Sequence, residues 1–284
     1  MILVTGATGQ IGKMVVENLL KRGLPVRAFV RNEQALHDVD YSKLEKAVGT
    51  FEDIDSLENA MAGVDRLFLV ARDNPDQVKQ HENVIGAAER TGVKHIVKLS
   101  AYGAAEDSPI ALMRWHAETE RQLQKSSMEW TFLRPHLYMH NLLRFGPAVA
   151  EQSAFFAPMG KDRFGFIDVR DIADAAGKVL RTHGHEAKVY TLTGPSVVSY
   201  MEIAQYLSAI LGKTVKYNAI TQETFYQQQL SKGTPEWRAY DLAHIADAYP
   251  GKRKERITND IYNILGRPAR SMDTFLRDYQ ENFK

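Results

Sequence analysis

The segment Val4-Thr5-Gly6-Ala7-Thr8-Gly9-Gln10-Ile11-Gly12 constrains the fold of this chain more than any other. The apolar run Met1–Thr5 reads as a strand, and Gly9–Arg22 reads as a helix with Ile11, Val15 and Leu19 on one face. Gly6 permits the tight turn between them. Gly9 leaves the helix start bare, so that a pyrophosphate can approach its backbone, and Gly12 lets the helix pack closely on the strand. The free amides of the first turn and the helix dipole then face the anion. Gly6, Thr8, Gly9, Gln10 and Ile11 are therefore the expected dinucleotide-binding residues. A glycine-rich turn without a ligand is the alternative, but here strand, turn, helix and second strand all stand in place.

The rest of the first half repeats the alternation. Pro25–Arg31, Lys43–Val48, Arg66–Ala71, His95–Ser100 and Glu129–Leu133 read as strands. Helical periods fall at Ser56–Met61, capped by Asp55, at Gln77–Thr91 and at Pro109–Lys125. Such alternation implies βαβ units and a parallel sheet covered on both faces, most simply an α/β, Rossmann-type doubly wound sheet. After about Gly146 the pattern loosens. Phe164–Val169 and Val189–Thr193 still read as strands, with helices at Asp171–Leu180 and at Ser199–Leu211, where Ser199 and Glu202 form a capping box. Beyond Tyr217 the pattern is almost wholly helical. The expected organisation is a sheet domain over residues 1–150, to which 163–182 returns, and a smaller, mainly helical substrate-binding lobe over 183–284.

The end of the second strand bears on the cofactor. An NAD site usually carries an acid about 20 residues after the glycines, to hold the ribose 2′-hydroxyl. Here the sequence is Val30-Arg31-Asn32, and Arg31 suits a 2′-phosphate. NADP(H) is expected, with NAD(H) as the alternative. Ligands of such sheets bind outside the carboxyl ends of the strands. That directs attention to Val70, Ala71 and Arg72, to Ser100 and Tyr102, and to Phe51 beside the adenine.

Carbonyl reduction on this type of sheet often uses Tyr-x-x-x-Lys, in which the lysine lowers the tyrosine pKa. None of the 12 tyrosines has a lysine four residues later. The helix where the lysine would lie reads Arg114-Trp115-His116-Ala117-Glu118-Thr119-Glu120. His116 is the group there that ordinarily titrates near neutrality, and Glu120, one turn later, could orient it. A histidine hydrogen-bonded at a helix–sheet contact fits the same residues. After the Glu129–Leu133 strand, Tyr138 and Asn141 suit the lining of a pocket for a flat ligand. His136 and His140 have one-turn spacing but no third ligand in sequence, so no metal is expected.

Composition narrows the classes further. With a formal charge of +1, the chain has no global field to recruit nucleic acid. It contains no cysteine, which excludes disulfides and thiolate chemistry. No apolar run approaches the roughly 18 residues of a membrane helix. The opening directly on a strand is what a chain without a cleavable leader would show, and a cytoplasmic protein is the expectation.

The glycine segment, Gly92-Val-Lys-His-Ile-Val-Lys-Leu-Ser100, Trp130-Thr-Phe-Leu-Arg-Pro135 with Asn141, Ile167-Asp-Val-Arg-Asp-Ile-Ala173, Tyr190-Thr-Leu-Thr-Gly-Pro195 and Leu265-Gly-Arg-Pro-Ala-Arg-Ser271 together resemble the NmrA-like atypical short-chain dehydrogenases/reductases. The likeness extends to the bacterial branch of quinone, azo-dye and triphenylmethane-dye reductases. The resemblance implies NAD(P)H binding, often with preference for NADPH, and a substrate cleft between sheet domain and lobe. Relatives with a lysine on the helix after the fifth strand use it in catalysis, and this chain offers His116 in that neighbourhood. The expected function is hydride transfer from NADPH to a flat, electron-poor acceptor such as a quinone or conjugated dye, a reaction that needs little general-acid assistance. The alternative is a non-catalytic NADP(H) sensor, with a regulatory protein as partner; a homodimer is compatible with either.

Overall fold

The computed structural model describes residues 1–36 and 43–284. In chain order its first half runs β1 (Ile2–Val4), α1 (Gln10–Leu20), β2 (Val26–Val30), β3 (Leu44–Val48), α2 (Ile54–Met61), β4 (Arg66–Leu69), α3 (Gln77–Thr91), β5 (His95–Leu99), α4 (Ala111–Lys125) and β6 (Glu129–Pro135). The second half contains a 3₁₀ turn (Met139–Phe145), α5 (Gly146–Gln152), β7 (Ala154–Ala157), β8 (Arg163–Phe164), α6 (Val169–Arg181), β9 (Lys188–Leu192), β10 (Val198–Ser199), α7 (Tyr200–Leu211) and β11 (Lys216–Ala219). Four further helices follow: α8 (Gln222–Ser231), α9 (Glu236–His244), α10 (Asp260–Leu265) and α11 (Met272–Asp278).

The chain divides into two compact units. The first comprises residues 1–106, 115–135 and 169–191; the second comprises 107–114, 136–168 and 192–284. The first unit is built on a seven-stranded sheet of order β3-β2-β1-β4-β5-β6-β9. The pairings from β3 to β6 are parallel, with Ile2 opposite Val26 on one side and Arg66 on the other. The order reverses direction between β1 and β4. In an open parallel sheet, the loops leaving two such strands diverge to opposite faces and leave a crevice at their carboxyl ends. The sheet reads as predicted because its central strands are apolar on both faces: Ile2, Leu3 and Val4 are all buried. On one face α1 packs against α6, where Asn18 donates to Asp174 (3.0 Å). On the other, Leu57, Met61, Val84 and Ala88 of α2 and α3 close over Leu67, Ile96 and Phe132.

The second unit carries two small sheets, β10 with β8 antiparallel and β11 with β7 parallel, and the C-terminal helices. The start of α4 is capped from within this unit, where the Ala111 and Leu112 amides donate to Asp241 (3.0 and 2.9 Å). The Ser199–Glu202 capping box forms at α7.

Two local expectations need correction. The helix over Ile54–Met61 is capped by Asp53, whose side chain accepts from the Ser56 amide, and Asp55 sits in its first turn. The segment from Phe164 to Val169 is not one strand. Only Arg163–Phe164 pairs; Ile167 makes an isolated bridge to Tyr138, and α6 begins at Val169. The short strands β7 and β11 go beyond the sequence reading, because each pairs with a partner some 60 residues away. Among the described residues, no helix is long and apolar enough to cross a membrane.

Candidate functional site

The carboxyl edge of the first unit's sheet is organised by Thr5, the residue that follows β1. Its hydroxyl donates to the Val70 carbonyl (2.8 Å) and accepts from the Val70 amide (2.9 Å), tying the ends of β1 and β4 together at the point of reversal. The turn that follows is pressed against β4. Gly6 adopts φ +54°, and a Cβ there would lie 2.7 Å from the Val70 oxygen. Gly12 is needed for a different reason: a Cβ would lie 2.2 Å from the Gly6 oxygen, so only glycine lets α1 sit on the turn.

Gly9 differs from both. It is exposed, its φ of −77° is open to any residue, and a Cβ would meet only the Gly6 oxygen, at 3.2 Å. Packing of the chain itself does not require glycine there. No side chain caps α1, and Thr8, Gly9 and Gln10 all face solvent. A bare helix start beside an open cradle fits the diphosphate of a dinucleotide.

Other expected residues lie along the same edge. Arg31 is exposed in the bend after β2, and its charge is felt at Glu52. The Glu52 carboxyl is held below its ordinary range chiefly by the Thr50 hydroxyl, with Gln80 (2.7 Å) and Arg31 adding to the effect. Ala71 is half-buried and Arg72 exposed, its carbonyl accepting from Asn74 Nδ2 (2.9 Å). Phe51 is half-buried and stacked on Phe29, with centroids 5.9 Å apart, and packs on the core. One face of its ring is thus committed to packing. Tyr102 is half-buried and its amide donates to the Pro135 carbonyl (2.9 Å).

Beneath this edge lies a buried polar cluster. The Ser100 hydroxyl donates to Glu120, which also holds the Arg134 guanidinium, with Arg134 Nε at 2.9 Å. Glu120 is therefore spent on Ser100 and Arg134, and the expectation that it orients His116 is replaced by a different partner. The His116 Nδ1 lies 2.8 Å from Nζ of Lys98, a side chain fully buried on β5. Burial, first, and the Lys98 charge hold the His116 imidazole well below its ordinary pKa, so it is neutral at pH 7. Burial also lowers Lys98, to about 8, against the opposing pull of Glu120 and Asp73. Burial thus brings Lys98 towards neutrality and takes His116 away from it. One sequence signal pointed to it: a lysine inside an otherwise apolar central strand, Ile96-Val97-Lys98-Leu99.

Tyr138 and Asn141 belong to the second unit. Tyr138 is half-buried ahead of the 3₁₀ turn, and its carbonyl accepts from the amide of the exposed Asn141 (3.1 Å). His136 and His140 are both buried there among aromatic rings, His136 against Tyr249 (4.6 Å) and His140 against Phe275 and Tyr279 (4.9 Å each). Among the described residues, no group of three His, Asp or Glu side chains converges as a metal site.

The model of the NmrA-like family matches residues 1–258. The chain belongs to the NmrA-like family. It is 37% identical to the NAD(P)H azoreductase of Xenophilus azovorans, over 100% of this chain and 99% of that protein. Among solved structures, the NADPH-dependent quinone oxidoreductase of Escherichia coli in complex with NADPH is similar with a TM-score of 0.90 and 30% identity, covering 99% of this chain and 100% of the other. The triphenylmethane reductase of Citrobacter sp., complexed with NADP(H), is similar with a TM-score of 0.88 and 30% identity, covering 98% and 99%. The family likeness thus extends over both units, and the doubly wound sheet is the shared NmrA-like architecture.

Proposed function

We propose that this NmrA-like chain is an NADPH-dependent reductase of small, flat, electron-poor acceptors of the quinone or conjugated-dye class. The observation that carries the reading is end-to-end similarity to three reductases of such acceptors, combined with a glycine turn whose Gly9 is free of any packing duty within the chain. All three relatives have the names of reductases or oxidoreductases, and none supports the regulatory alternative.

In this reading, the amides at the start of α1 and the bare Gly9 hold the diphosphate. Arg31 holds the 2′-phosphate and confers the preference for NADPH over NADH. Val70, Ala71, Arg72 and Tyr102 bound the site along the strand ends, and Phe51 offers an edge for the adenine. The bound cofactor supplies a hydride. The chain supplies positioning and exclusion of water. Ser100 acts indirectly, because its hydroxyl is committed to Glu120. His116 serves as a neutral hydrogen-bond donor to an oxygen on which negative charge develops, a role that the missing Tyr-x-x-x-Lys pair leaves open.

Anaerobic NADPH oxidation, followed at 340 nm against quinones, azo dyes, triphenylmethane dyes and simple aldehydes, tests the proposal. Turnover with the conjugated acceptors and little with aldehydes is expected. A protein that binds NADPH and reduces none of them refutes it.

A further inference from the structure

Lys98 is placed where a lysine is costly. Its side chain is fully buried on β5, and burying an ammonium disfavours the charged form. A cost of this kind calls for partners, and the structure supplies a specific set. Nζ lies 3.2 Å from the Leu99 carbonyl and 2.8 Å from His116 Nδ1. Glu120 of α4 and Asp73, in the loop after β4, favour the lysine's charge; Arg134 of β6 opposes it. His81 of α3 also faces the cluster. Its Nδ1 lies 3.2 Å from Thr119 Oγ1, which itself donates to the Trp115 carbonyl (3.0 Å). That leaves His81 Nδ1 as the donor and the ring neutral.

An ammonium group only donates, so it fixes the state of what it touches. The nitrogen of His116 that faces Lys98 must accept, and the proton of the neutral ring must sit on Nε2, the nitrogen turned away from the lysine. Without Lys98, nothing in the described hydrogen bonds of His116 would choose between the two tautomers.

We propose that Lys98 is a positioning residue that locks His116 as the neutral Nε2–H donor and replaces the proton His116 hands to the reduced acceptor. This rests on the reductase reading above. The step balances as follows. The His116 Nε2–H bond breaks as an O–H bond forms on the product oxygen. A Lys98 Nζ–H bond breaks as a Nδ1–H bond forms on the same imidazole. The ring stays neutral, the lysine loses its charge, and the product oxygen loses its negative charge. Solvent then protonates Nε2 as the Nδ1 proton returns to Lys98, which restores the starting tautomer and the lysine's charge. No ring cation forms, which suits a site where burial disfavours it.

The tautomer is directly measurable. In the full-length protein labelled with ¹⁵N-histidine, long-range ¹H–¹⁵N spectra distinguish Nε2–H, Nδ1–H and imidazolium, with the His116 signals assigned from His116→Gln. The expected wild-type result is a single neutral Nε2–H tautomer from pH 6 to 7, where Lys98 is charged. In Lys98→Met, the two tautomers should mix and the ring should titrate at higher pH than in wild type. With a quinone, kcat should fall by roughly 10²-fold in Lys98→Met with little change in KM. The alkaline fall in wild-type kcat should be displaced in the variant, which a merely structural lysine would not do. A wild-type His116 found as Nδ1–H or as imidazolium at pH 7 overturns the proposal whether or not the variant folds. So does a tautomer unchanged in Lys98→Met. A wrong tautomer with quinone turnover intact refutes the role of Lys98 alone; the expected tautomer in a protein that reduces no acceptor refutes proton delivery together with the reductase reading.

Discussion

Gly9 and Gly12 are separated by a single turn of chain, yet the structure predicts opposite consequences of altering them. At Gly12 a Cβ would stand 2.2 Å from the Gly6 oxygen and 2.8 Å from its carbonyl carbon, both backbone atoms that cannot swing aside. Gly12→Ala must therefore push α1 off the β1 turn, and overpacking of this kind costs about 3 kcal/mol or more. At Gly9 the nearest atom is 3.2 Å away and φ is ordinary, so Gly9→Val should cost about 1 kcal/mol or less, mostly from the poorer N-cap. Ligand binding reverses the ranking. NADPH at a hundred times its Kd should stabilise the wild type by about 2.7 kcal/mol. For a protein of this size that corresponds to roughly 5 °C or more in Tm. Differential scanning fluorimetry with and without NADPH reads both effects. Gly9→Val should melt near the wild type and show no NADPH shift, whereas Gly12→Ala should melt lower. A Gly9→Val protein with the full NADPH shift would refute the assignment of the diphosphate to this turn.

Three further outcomes follow from the same site. Arg31→Ala should weaken NADPH by on the order of 1.5–3 kcal/mol and NADH hardly at all in equilibrium titrations; equal losses would remove Arg31 from the 2′-phosphate. The folded-state pKa of Lys98, about 8, lies below its ordinary 10.5, so the unfolded chain binds more protons in that interval and wild-type stability rises with pH through it. Relative to Lys98→Met, the wild type should therefore gain on the order of 3 kcal/mol in urea unfolding between pH 7.5 and 11, and a flat difference would mean that Lys98 is not desolvated as described. His116→Ala should lower quinone turnover by roughly 10²-fold while leaving reduction of a cationic triphenylmethane dye, which takes up no proton, much less affected.

The sheet of the first unit was legible because its signals are local and strong. The apolar run Ile2–Val4, the bare Gly9 and the amphipathic period over Gln77–Thr91 each point to one structure without knowledge of the rest of the chain. What was missed depends on distant partners. The strand Ala154–Ala157 exists because Lys216–Ala219 pairs with it, and neither segment carries enough alternation to declare itself. The α2 cap moved from Asp55 to Asp53 because two acids compete within one turn and only backbone geometry decides between them. The chemistry of His116 was legible in position but not in state. Its helix period places it on the sheet-facing side, while its neutrality and its Lys98 partner depend on a side chain 18 residues earlier in the sequence. Glu120 is one helical turn away in sequence, but Arg134 and Ser100 hold its carboxylate.

The central claim is direct hydride transfer from a dinucleotide held by this chain to a conjugated acceptor, and isotope transfer tests it most plainly. The protein should be incubated anaerobically with NADPH carrying deuterium at both nicotinamide C4 positions and a cationic triphenylmethane dye, and the colourless product analysed by mass spectrometry. One deuterium is expected on the central carbon of each product molecule in ordinary water, and none from unlabelled NADPH in heavy water. Product formed without the label, or labelled only from heavy water, would contradict it.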